Sequence, residues 1–100
     1  MNTNGLVSGP AADRGRSARR NLRKHGIDFS EASTVFADTL SITIPDPNHS
    51  ENEERWLTMG LSNRQRLLVV VHTEEKETIR IINARLANRL ERRKYEEGDS

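Results

Sequence analysis

The stretch Leu67-Leu-Val-Val-Val71 decides the fold, because it is the longest unbroken apolar run in the chain. A continuous apolar run of this length is typical of a strand that is buried on both faces. Thr73–Lys76 then predicts a short turn, and Thr78–Ile82 predicts the next strand. Two strands joined by so short a connection pair antiparallel, so the sequence predicts an antiparallel sheet around this run.

Two further strands are predicted on the N-terminal side of this pair. Leu40–Ile44 alternates apolar and polar residues, as a half-buried strand does, and the proline-containing segment Pro45–Asn48 ends it. Arg55–Met59 predicts a second strand that ends at Gly60, and Leu61–Arg66 predicts a polar turn. The sheet is therefore expected to be a meander of three to four strands.

Helices are predicted before the sheet. Arg14–His25 repeats apolar positions with a helical period, and Gly26 stands where a left-handed C-terminal cap is expected. Ser30 is expected to cap a second, short helix over Glu31–Phe36. The predicted fold class is α+β, with the antiparallel sheet packed by N-terminal helices and a C-terminal helix.

The C-terminal helix is predicted to run from Ala84 to about Glu97, with Asn83 as its N-cap and Gly98 at its end. Three arginines spaced i, i+4, i+7 are then expected on one face: Arg85, Arg89 and Arg92. Such a stripe can grip phosphates through bidentate hydrogen bonds, whereas pairs with glutamates of the same helix would neutralise it.

The composition excludes several classes of protein. One hundred residues, 33% hydrophobic and 31% charged, suit one small domain, expected at residues 14–97 after a disordered polar tail at residues 1–13. The absence of cysteine excludes disulfides, thiol catalysis and cysteine-ligated metals. No apolar run approaches the roughly 20 residues of a membrane helix. The N-terminus lacks the apolar region of a secretory signal, so the expected location is the cytoplasm.

The net charge of +1 hides a strong segregation. Residues 1–25 carry six Lys or Arg against one Asp, and residues 26–63 carry seven acids against one Arg. Residues 64–95 carry nine bases against four acids. Two basic blocks that meet in space would form a surface for a polyanion, and the alternative is two solvated helix faces.

The histidines give one candidate site and no metal site. His25, His49 and His72 are far apart without metal-ligand spacing, and no Gly-rich phosphate loop is present, so neither metal nor cofactor is predicted. Lys24-His25-Gly26, in contrast, places a cation beside a titratable imidazole at a helix end. Such a pair can bind a phosphate and move a proton. The alternative is a histidine that caps its own helix carbonyls.

Basic side chains also mark the predicted sheet. The arginines on or next to its strands are Arg55, Arg64, Arg66 and Arg80. Because Arg80 alternates with apolar neighbours, it should face the more open side of the sheet. With basic helices beside it, this side suits an RNA cradle, and the alternative for each arginine is a surface ion pair. Glu54, beside Arg55, is a candidate base.

Several segments between residues 18 and 97 also occur together in one known family. In order, they are Asn21-Leu-Arg-Lys-His-Gly-Ile27 with Asp28-Phe29, Ile44-Pro-Asp-Pro-Asn-His-Ser-Glu51, Glu53-Glu-Arg55, Leu67-Leu-Val-Val-Val-His-Thr73, Ile79-Arg-Ile-Ile-Asn-Ala-Arg85, Glu91-Arg92 and Tyr95-Glu-Glu97. Together they resemble the BrnT toxin family. The resemblance implies a RelE-like α+β fold and a type II toxin, which is a metal-independent ribonuclease. It also implies a ribbon-helix-helix antitoxin of the BrnA kind, through which alone the toxin would reach operator DNA.

The resemblance also suggests which residues act. It implies that Lys24, His25, Arg55, Arg80 and Arg85 are site residues, and with Glu54 these are the candidate catalytic residues. From the pattern of basic residues, the candidate RNA-binding residues are Arg64, Arg89 and Arg92. RNA cleavage of this type uses the ribose 2′-hydroxyl as nucleophile. It needs a base, an acid and cations for the phosphorane charge. In this hypothesis His25 or Glu54 transfers protons and the cations stabilise the phosphate.

The N-terminal part departs from the family pattern. Family members begin with a strand and a Trp-Asp-x-x-Lys segment, and here Asp13, Arg14 and Ser17 align with that segment. The first strand is therefore expected to be lost or replaced, which would expose a sheet edge. Two alternatives follow. One is a catalytically degenerate homologue that binds the antitoxin in operon autoregulation, and the other is a basic RNA-binding domain.

Overall fold

The structure is a computed structural model that describes residues 11–47 and 54–98. The helices in these residues are α1 (Ala11–His25), α2 (Phe29–Ser33) and α3 (Arg89–Glu97), and a 3₁₀ turn over Thr34–Ala37 extends α2. The strands are β1 (Ile42–Pro45), β2 (Trp56–Leu61), β3 (Leu67–Glu75) and β4 (Thr78–Leu86). The chain therefore has the predicted α+β order, with helices before and after a sheet. None of the described helices combines the length and apolar character of a membrane span.

The four strands form one antiparallel sheet in the order β1-β2-β3-β4, which is the predicted meander. Side chains of β3 alternate between its two faces. Leu68 and Val70 point to the face covered by α2, called the α2 face below. Leu67 and Val69 point to the opposite face, which α3 covers and which is called the α3 face below. The apolar run is thus buried on both faces, as predicted.

Most of the fully buried apolar side chains lie on the α2 face. They are Ile27, Ala32, Val35, Leu68, Val70, Ile81 and Ala84. Each fully buried Leu, Ile or Val contributes about 1.5–3 kcal/mol relative to an exposed one, so this cluster is the main source of stability. The α3 face holds a smaller cluster around Met59, Leu67 and Val69. Tyr95 of α3 packs there, and its hydroxyl donates to Asp38 Oδ2 at 2.6 Å.

A β-bulge shifts the register between β3 and β4. His72 pairs with Ile81, whereas Val71 pairs with Asn83, so Ile82 is an extra residue in β4. An extra residue reverses the alternation of side chains. Ile81 and Ala84 are therefore both buried on the α2 face although they stand three residues apart.

The N-terminal helices largely follow the sequence. Helix α1 ends at His25, and Gly26 has a φ of 73° with its N–H bonded to the Leu22 carbonyl at 2.9 Å, so the predicted left-handed cap is confirmed. The predicted cap of α2 is wrong. Asp28 rather than Ser30 is the N-cap, because its Oδ1 accepts the Glu31 N–H at 2.7 Å.

The bounds of the first two strands differ from the predictions. Strand β1 runs from Ile42 to Pro45, two residues later at its start than predicted. Strand β2 does not end at Gly60 but continues to Leu61. A Cβ atom at Gly60 would lie 2.8 Å from Val35 Cγ1, so this glycine allows the 3₁₀ turn to approach the sheet closely.

The start of the C-terminal helix was predicted five residues too early. Strand β4 continues to Leu86, and Asn88, not Asn83, caps α3. Asn88 and Glu91 form a capping box, in which each side chain bonds the other residue's backbone N–H at 2.8 Å. Gly98 ends the helix as predicted.

The moved helix start also changes the arginine stripe. Arg85 lies in β4, so it does not share a helix face with Arg89 and Arg92. The prediction of three arginines on one face of the C-terminal helix is therefore wrong.

The predicted tail falls mostly outside the described residues, which begin at Ala11. The residues aligned with the family's Trp-Asp-x-x-Lys segment, Asp13 to Ser17, lie within α1. Between residues 11 and 41 the chain contains no strand. His49 and most of the acidic stretch before Glu54 also lie outside the described residues.

Candidate functional site

A polar cleft lies where the C-terminal half of α1 meets β4, and it is called the α1–β4 cleft below. Its volume is about 180 Å³. Helix α1 and strand β4 line it with Ser17, Arg20, Asn21, Lys24, His25, Ile82 and Asn83. The two residues of the predicted Lys24–His25 pair therefore share one cleft with a further cation, Arg20.

Asn21 builds this cleft by fixing α1 to the edge of the sheet. Its Nδ2 donates to the carbonyls of Ile27 and Ala84, both at 2.9 Å, and its Oδ1 accepts the Ala84 N–H at 3.0 Å. The side chain thus pairs with Ala84 as a neighbouring strand would. It is only 4% exposed and both of its N–H donors are used. Asn21 was part of the quoted motif, but sequence reasoning gave it no role, because the bonds to Ala84 span 63 positions.

Lys24 and His25 stand at the end of α1, where the left-handed Gly26 turns the chain into buried Ile27. Lys24 is exposed and His25 is half-buried. The capping alternative requires a hydrogen bond from the His25 ring to the helix carbonyls. In the described part of the chain the ring makes no such bond. Instead, the Gly26 N–H bonds to the Leu22 carbonyl. The imidazole and the ammonium therefore both face a cleft that can admit a phosphate.

An ion pair between Glu31 and Arg66 supports the turn at Gly26. The Glu31 side chain is 3% exposed and accepts bonds from Arg66 Nε at 3.0 Å and from Ser62 Oγ at 2.6 Å. The Arg66 hydrogen bond is the largest cause that holds the pKa of Glu31 below its ordinary value. Arg66 Nη2 also donates to the Gly26 carbonyl at 3.4 Å. Arg66, which the sequence placed only among the sheet arginines, thus links the β2–β3 turn to the end of α1.

Arg55 and Arg80 occupy the same end of the sheet. Arg80 pairs with Thr73 of β3, and on β2 Arg55 directly precedes Trp56, the partner of His72. The alternation of the strands puts both arginines on the α3 face, since Arg55 shares a face with Leu57 and Arg80 lies opposite to Ile79 and Ile81. Arg80 is also two residues from Ile82 of the α1–β4 cleft. Glu54, beside Arg55, is exposed.

The other candidate residues are not among those that line the cleft. Arg85 forms a bidentate pair with Glu91, at 2.8 and 2.9 Å, and this pair joins β4 to α3. The hydrogen bond from Arg85 lowers the pKa of Glu91. Arg64 lies in the β2–β3 turn, 66% exposed in its side chain, while Arg89 and Arg92 are exposed on α3. Their roles in catalysis or RNA binding stay predictions.

His72 is a core residue rather than a cleft residue. It is fully buried, its Nε2 lies 2.7 Å from Thr58 Oγ1, and its ring packs edge-on against Phe36 with ring centres 4.9 Å apart. Burial lowers the pKa of His72 to about 4, so the ring is neutral at physiological pH. Within residues 11–47 and 54–98, no three potential ligands among His, Asp and Glu gather as a metal site.

A larger cavity of about 290 Å³ lies between the sheet and α3. Its walls are mainly apolar, with Ile42, Leu57, Met59 and Val69 among them, and Lys94 is their one cation. The smaller α1–β4 cleft carries two full cations and an imidazole. For an anionic ligand, the charge and the proton-transfer group therefore favour the α1–β4 cleft over the larger cavity.

Comparison with known proteins gives one family. No curated protein matches the chain. A family model described as "Ribonuclease toxin, BrnT, of type II toxin-antitoxin system" matches residues 15–91. The match spans most of α1, the whole sheet and the start of α3, and the four-stranded antiparallel sheet with its helices agrees with the predicted RelE-like fold. The chain therefore belongs to the BrnT family of ribonuclease toxins of type II toxin–antitoxin systems.

Proposed function

We propose that this chain is a metal-independent endoribonuclease whose active site is the α1–β4 cleft. The observation that carries the proposal is the convergence of Lys24, His25 and Arg20 in one cleft of a chain that belongs to a ribonuclease toxin family. A cation beside an imidazole supplies what phosphodiester cleavage needs, namely charge stabilisation and proton transfer.

The chemistry begins at the ribose of the cleaved nucleotide. A base takes the proton of the 2′-hydroxyl, and the 2′-oxygen attacks the adjacent phosphorus. The bond from phosphorus to the 5′-oxygen breaks, which leaves a 2′,3′-cyclic phosphate and a 5′-hydroxyl that receives a proton from an acid. His25 is the proposed proton-transfer group because it lines the cleft, and Glu54 is the second candidate for the base.

Cations from α1, from just before β2 and from β4 would stabilise the phosphorane. Lys24 lies in the cleft, and its ammonium is a point charge for the non-bridging oxygens. Arg55 and Arg80, at one end of the sheet, are proposed to hold the strand beside the cleaved bond. Of the proposed catalytic residues, Arg85 is the least available to a phosphate, because its guanidinium already forms a bidentate pair with the Glu91 carboxylate. Arg64, Arg89 and Arg92 are proposed to contact RNA farther from the cleft.

The proposed partners follow from the family. A type II toxin is neutralised by a protein antitoxin, and we propose one of the ribbon-helix-helix BrnA kind, encoded next to this chain. Operator DNA would be contacted only through that antitoxin. The proposed location is the cytoplasm, where the RNA substrate is found, and the proposed setting is a stress response.

The test is expression of the chain in a bacterial host, alone and with its neighbouring antitoxin. Lys24→Ala with His25→Ala should relieve the growth arrest caused by the chain alone. Arg19→Ala, an exposed arginine of α1 outside the cleft, is the matched control and should leave the arrest intact. With purified protein, RNA cleavage should persist in excess chelator and yield 2′,3′-cyclic phosphate ends. Full toxicity of the double variant would contradict the site.

A second candidate function is a degenerate toxin that only binds its antitoxin. Its specific support is the N-terminal departure, since α1 occupies the positions aligned with the family's Trp-Asp-x-x-Lys segment. For this function, we expect no arrest and no cleavage although the chain forms a tight complex with the antitoxin.

A further inference from the structure

We propose that Arg20 and Ser17 form a second phosphate subsite, so that the RNA strand runs from the Lys24–His25 pair along α1 toward its N-terminus. The inference rests on the proposed function, because it takes the α1–β4 cleft as the place where RNA is cleaved. It adds a binding role for Arg20, which none of the family motifs above includes, and for Ser17, which stands where the family motif has a lysine.

The spacing of the helix places the two cations in line. Arg20 stands four residues before Lys24, so both lie on one face of α1, about 6 Å apart along the helix axis. Both are exposed and both line the α1–β4 cleft. This separation is of the same order as the distance between successive phosphates of an extended RNA strand. Each cation can therefore take one phosphate.

The orientation of this face is fixed by Asn21. Because its amide bonds to both backbone groups of Ala84, α1 cannot rotate about its axis without breaking them. The bond to the Ile27 carbonyl holds the helix end as well. Ser17, one turn before Asn21 and half-buried in the cleft, can donate its hydroxyl to the same phosphate as Arg20.

The charge of the cleft selects an anion. Its described lining residues include two full cations and no Asp or Glu. A volume of about 180 Å³ is enough to admit a phosphate group. On the side of β4, Ile82 offers an apolar contact and the half-buried Asn83 offers an amide for hydrogen bonding, so a ribose or base can pack against this strand.

The helix provides its own control residues. Arg19 and Arg23 are exposed arginines of the same helix, but neither lines the cleft. Removing any of these arginines changes the net charge of the protein by the same amount. Only Arg20 should therefore affect a phosphate bound in the cleft, whereas a diffuse attraction between α1 and RNA would respond to all three.

The experiment measures binding of a single-stranded 2′-deoxy oligonucleotide, which keeps the phosphates but lacks the nucleophile for cleavage. Its dissociation constant is measured over a series of salt concentrations for the unsubstituted chain, Arg20→Ala, Arg20→Lys and Arg19→Ala. Arg20→Ala should weaken binding about tenfold at low salt. It should also reduce the slope of log K against log salt by about 0.7, the value for one phosphate of a single strand. Arg20→Lys should keep most of the slope, and Arg19→Ala should keep all of it.

The outcomes separate this inference from the proposed function. Equal losses for Arg20→Ala and Arg19→Ala would overturn the subsite, and so would an unchanged slope for Arg20→Ala. If the chain fails to cleave RNA but Arg20→Ala alone changes the slope, the proposed ribonuclease activity is wrong while the subsite stands. Circular dichroism melting of each variant shows whether the fold is kept, and Arg20→Lys keeps the test decisive if Arg20→Ala unfolds.

Discussion

Asn21 is the residue on which the candidate site depends. One buried amide satisfies the N–H and the carbonyl of Ala84 at the edge of β4 and the carbonyl of Ile27 after α1. Such groups cost free energy when they are buried without a partner. The same side chain therefore stabilises the fold and sets the position of Lys24 and His25 against β4.

Replacing Asn21 by alanine should lower the free energy of unfolding by about 1–3 kcal/mol, because the bonded backbone groups lose their partner. Urea unfolding followed by circular dichroism measures this change. Arg19→Ala on the same helix is the control and should stay within about 0.5 kcal/mol. Equal stability of the two variants would show that the amide does not anchor α1.

His72 should make the protein less stable as the pH falls below neutrality. In the unfolded chain a histidine takes up a proton near pH 6.5, whereas burial lowers the pKa of folded His72 to about 4. The neutral ring therefore stabilises the fold fully above pH 6.5, and this contribution is lost as the pH falls from 6.5 toward 4. At pH 5 the expected loss is about 2 kcal/mol.

Three acidic groups also bear on the pH dependence of stability, namely Glu74, Glu31 and Asp38. Glu74 Oε2 lies 3.8 Å from His72 Nδ1 and favours a charged ring, but burial outweighs it. Glu31 and Asp38 have pKa values lowered below 4.5 and 3.8, so they act mainly at lower pH. Urea midpoints at pH 7, 6 and 5 should fall for the unsubstituted chain and stay flatter for His72→Gln. A parallel fall in both would contradict the assignment to His72.

Among the elements, the turn between β2 and β3 supports the end of α1. The carboxylate of Glu31 in α2 accepts hydrogen bonds from Arg66 and Ser62 of this turn. Arg66 also donates a hydrogen bond to the carbonyl of Gly26. Three elements therefore meet at one buried carboxylate, which stays ionised because Arg66 is bonded to it. A buried charge that loses its partner is strongly destabilising.

Arg66→Ala should consequently lower the urea midpoint clearly, because Glu31 is left buried with Ser62 as its remaining close partner. Arg64→Ala is a matched control from the same turn, since Arg64 is 66% exposed and lies 3.9 Å from Glu31. Such exposed pairs contribute little to stability. Equal shifts in the two variants would contradict the role given to Arg66. In the growth assay, Arg66→Ala should also reduce toxicity, because the Gly26 turn is loosened.

At the scale of the whole molecule, the sheet carries two different concave surfaces. Helix α1 and the middle of β4 form a basic, polar cleft, whereas α3 lies over a mainly apolar cavity. The basic block before residue 26 forms α1, and the second basic block supplies β4 and α3.

Antitoxin binding should stabilise the folded chain by mass action. A partner that binds only the folded state adds about 3 kcal/mol when its free concentration is one hundred times its dissociation constant. The Tm of the chain should therefore rise with added antitoxin and approach that of the co-expressed complex. An unchanged Tm in saturating antitoxin would contradict direct binding to the folded toxin.

Local signals were sufficient for most elements, and two of their failures have a common cause. Asn83 and Asn88 are both acceptable helix caps followed by helix-forming residues. Pairing of Asn83 with Val71 keeps the first in β4, and the capping box selects the second. Gly60 likewise suits a strand end locally, yet its pairing with Leu68 of β3 keeps it inside β2. For Asn83 and Gly60 a neighbouring strand decides between local alternatives of similar free energy, whereas the choice of Asp28 over Ser30 as the cap of α2 is a local one.

The sequence by itself determined the α+β class, the antiparallel meander, the buried apolar run and the turn at Gly26, because these depend on periodicity and on neighbouring residues. It also determined that Lys24 and His25 stand together. Only the tertiary structure decided that Asn21 joins α1 to Ala84, that Arg85 pairs with Glu91 and that Arg20 shares the cleft. Those contacts follow from the packing of whole elements, which the bulge in β4 and the burial of the core fix together.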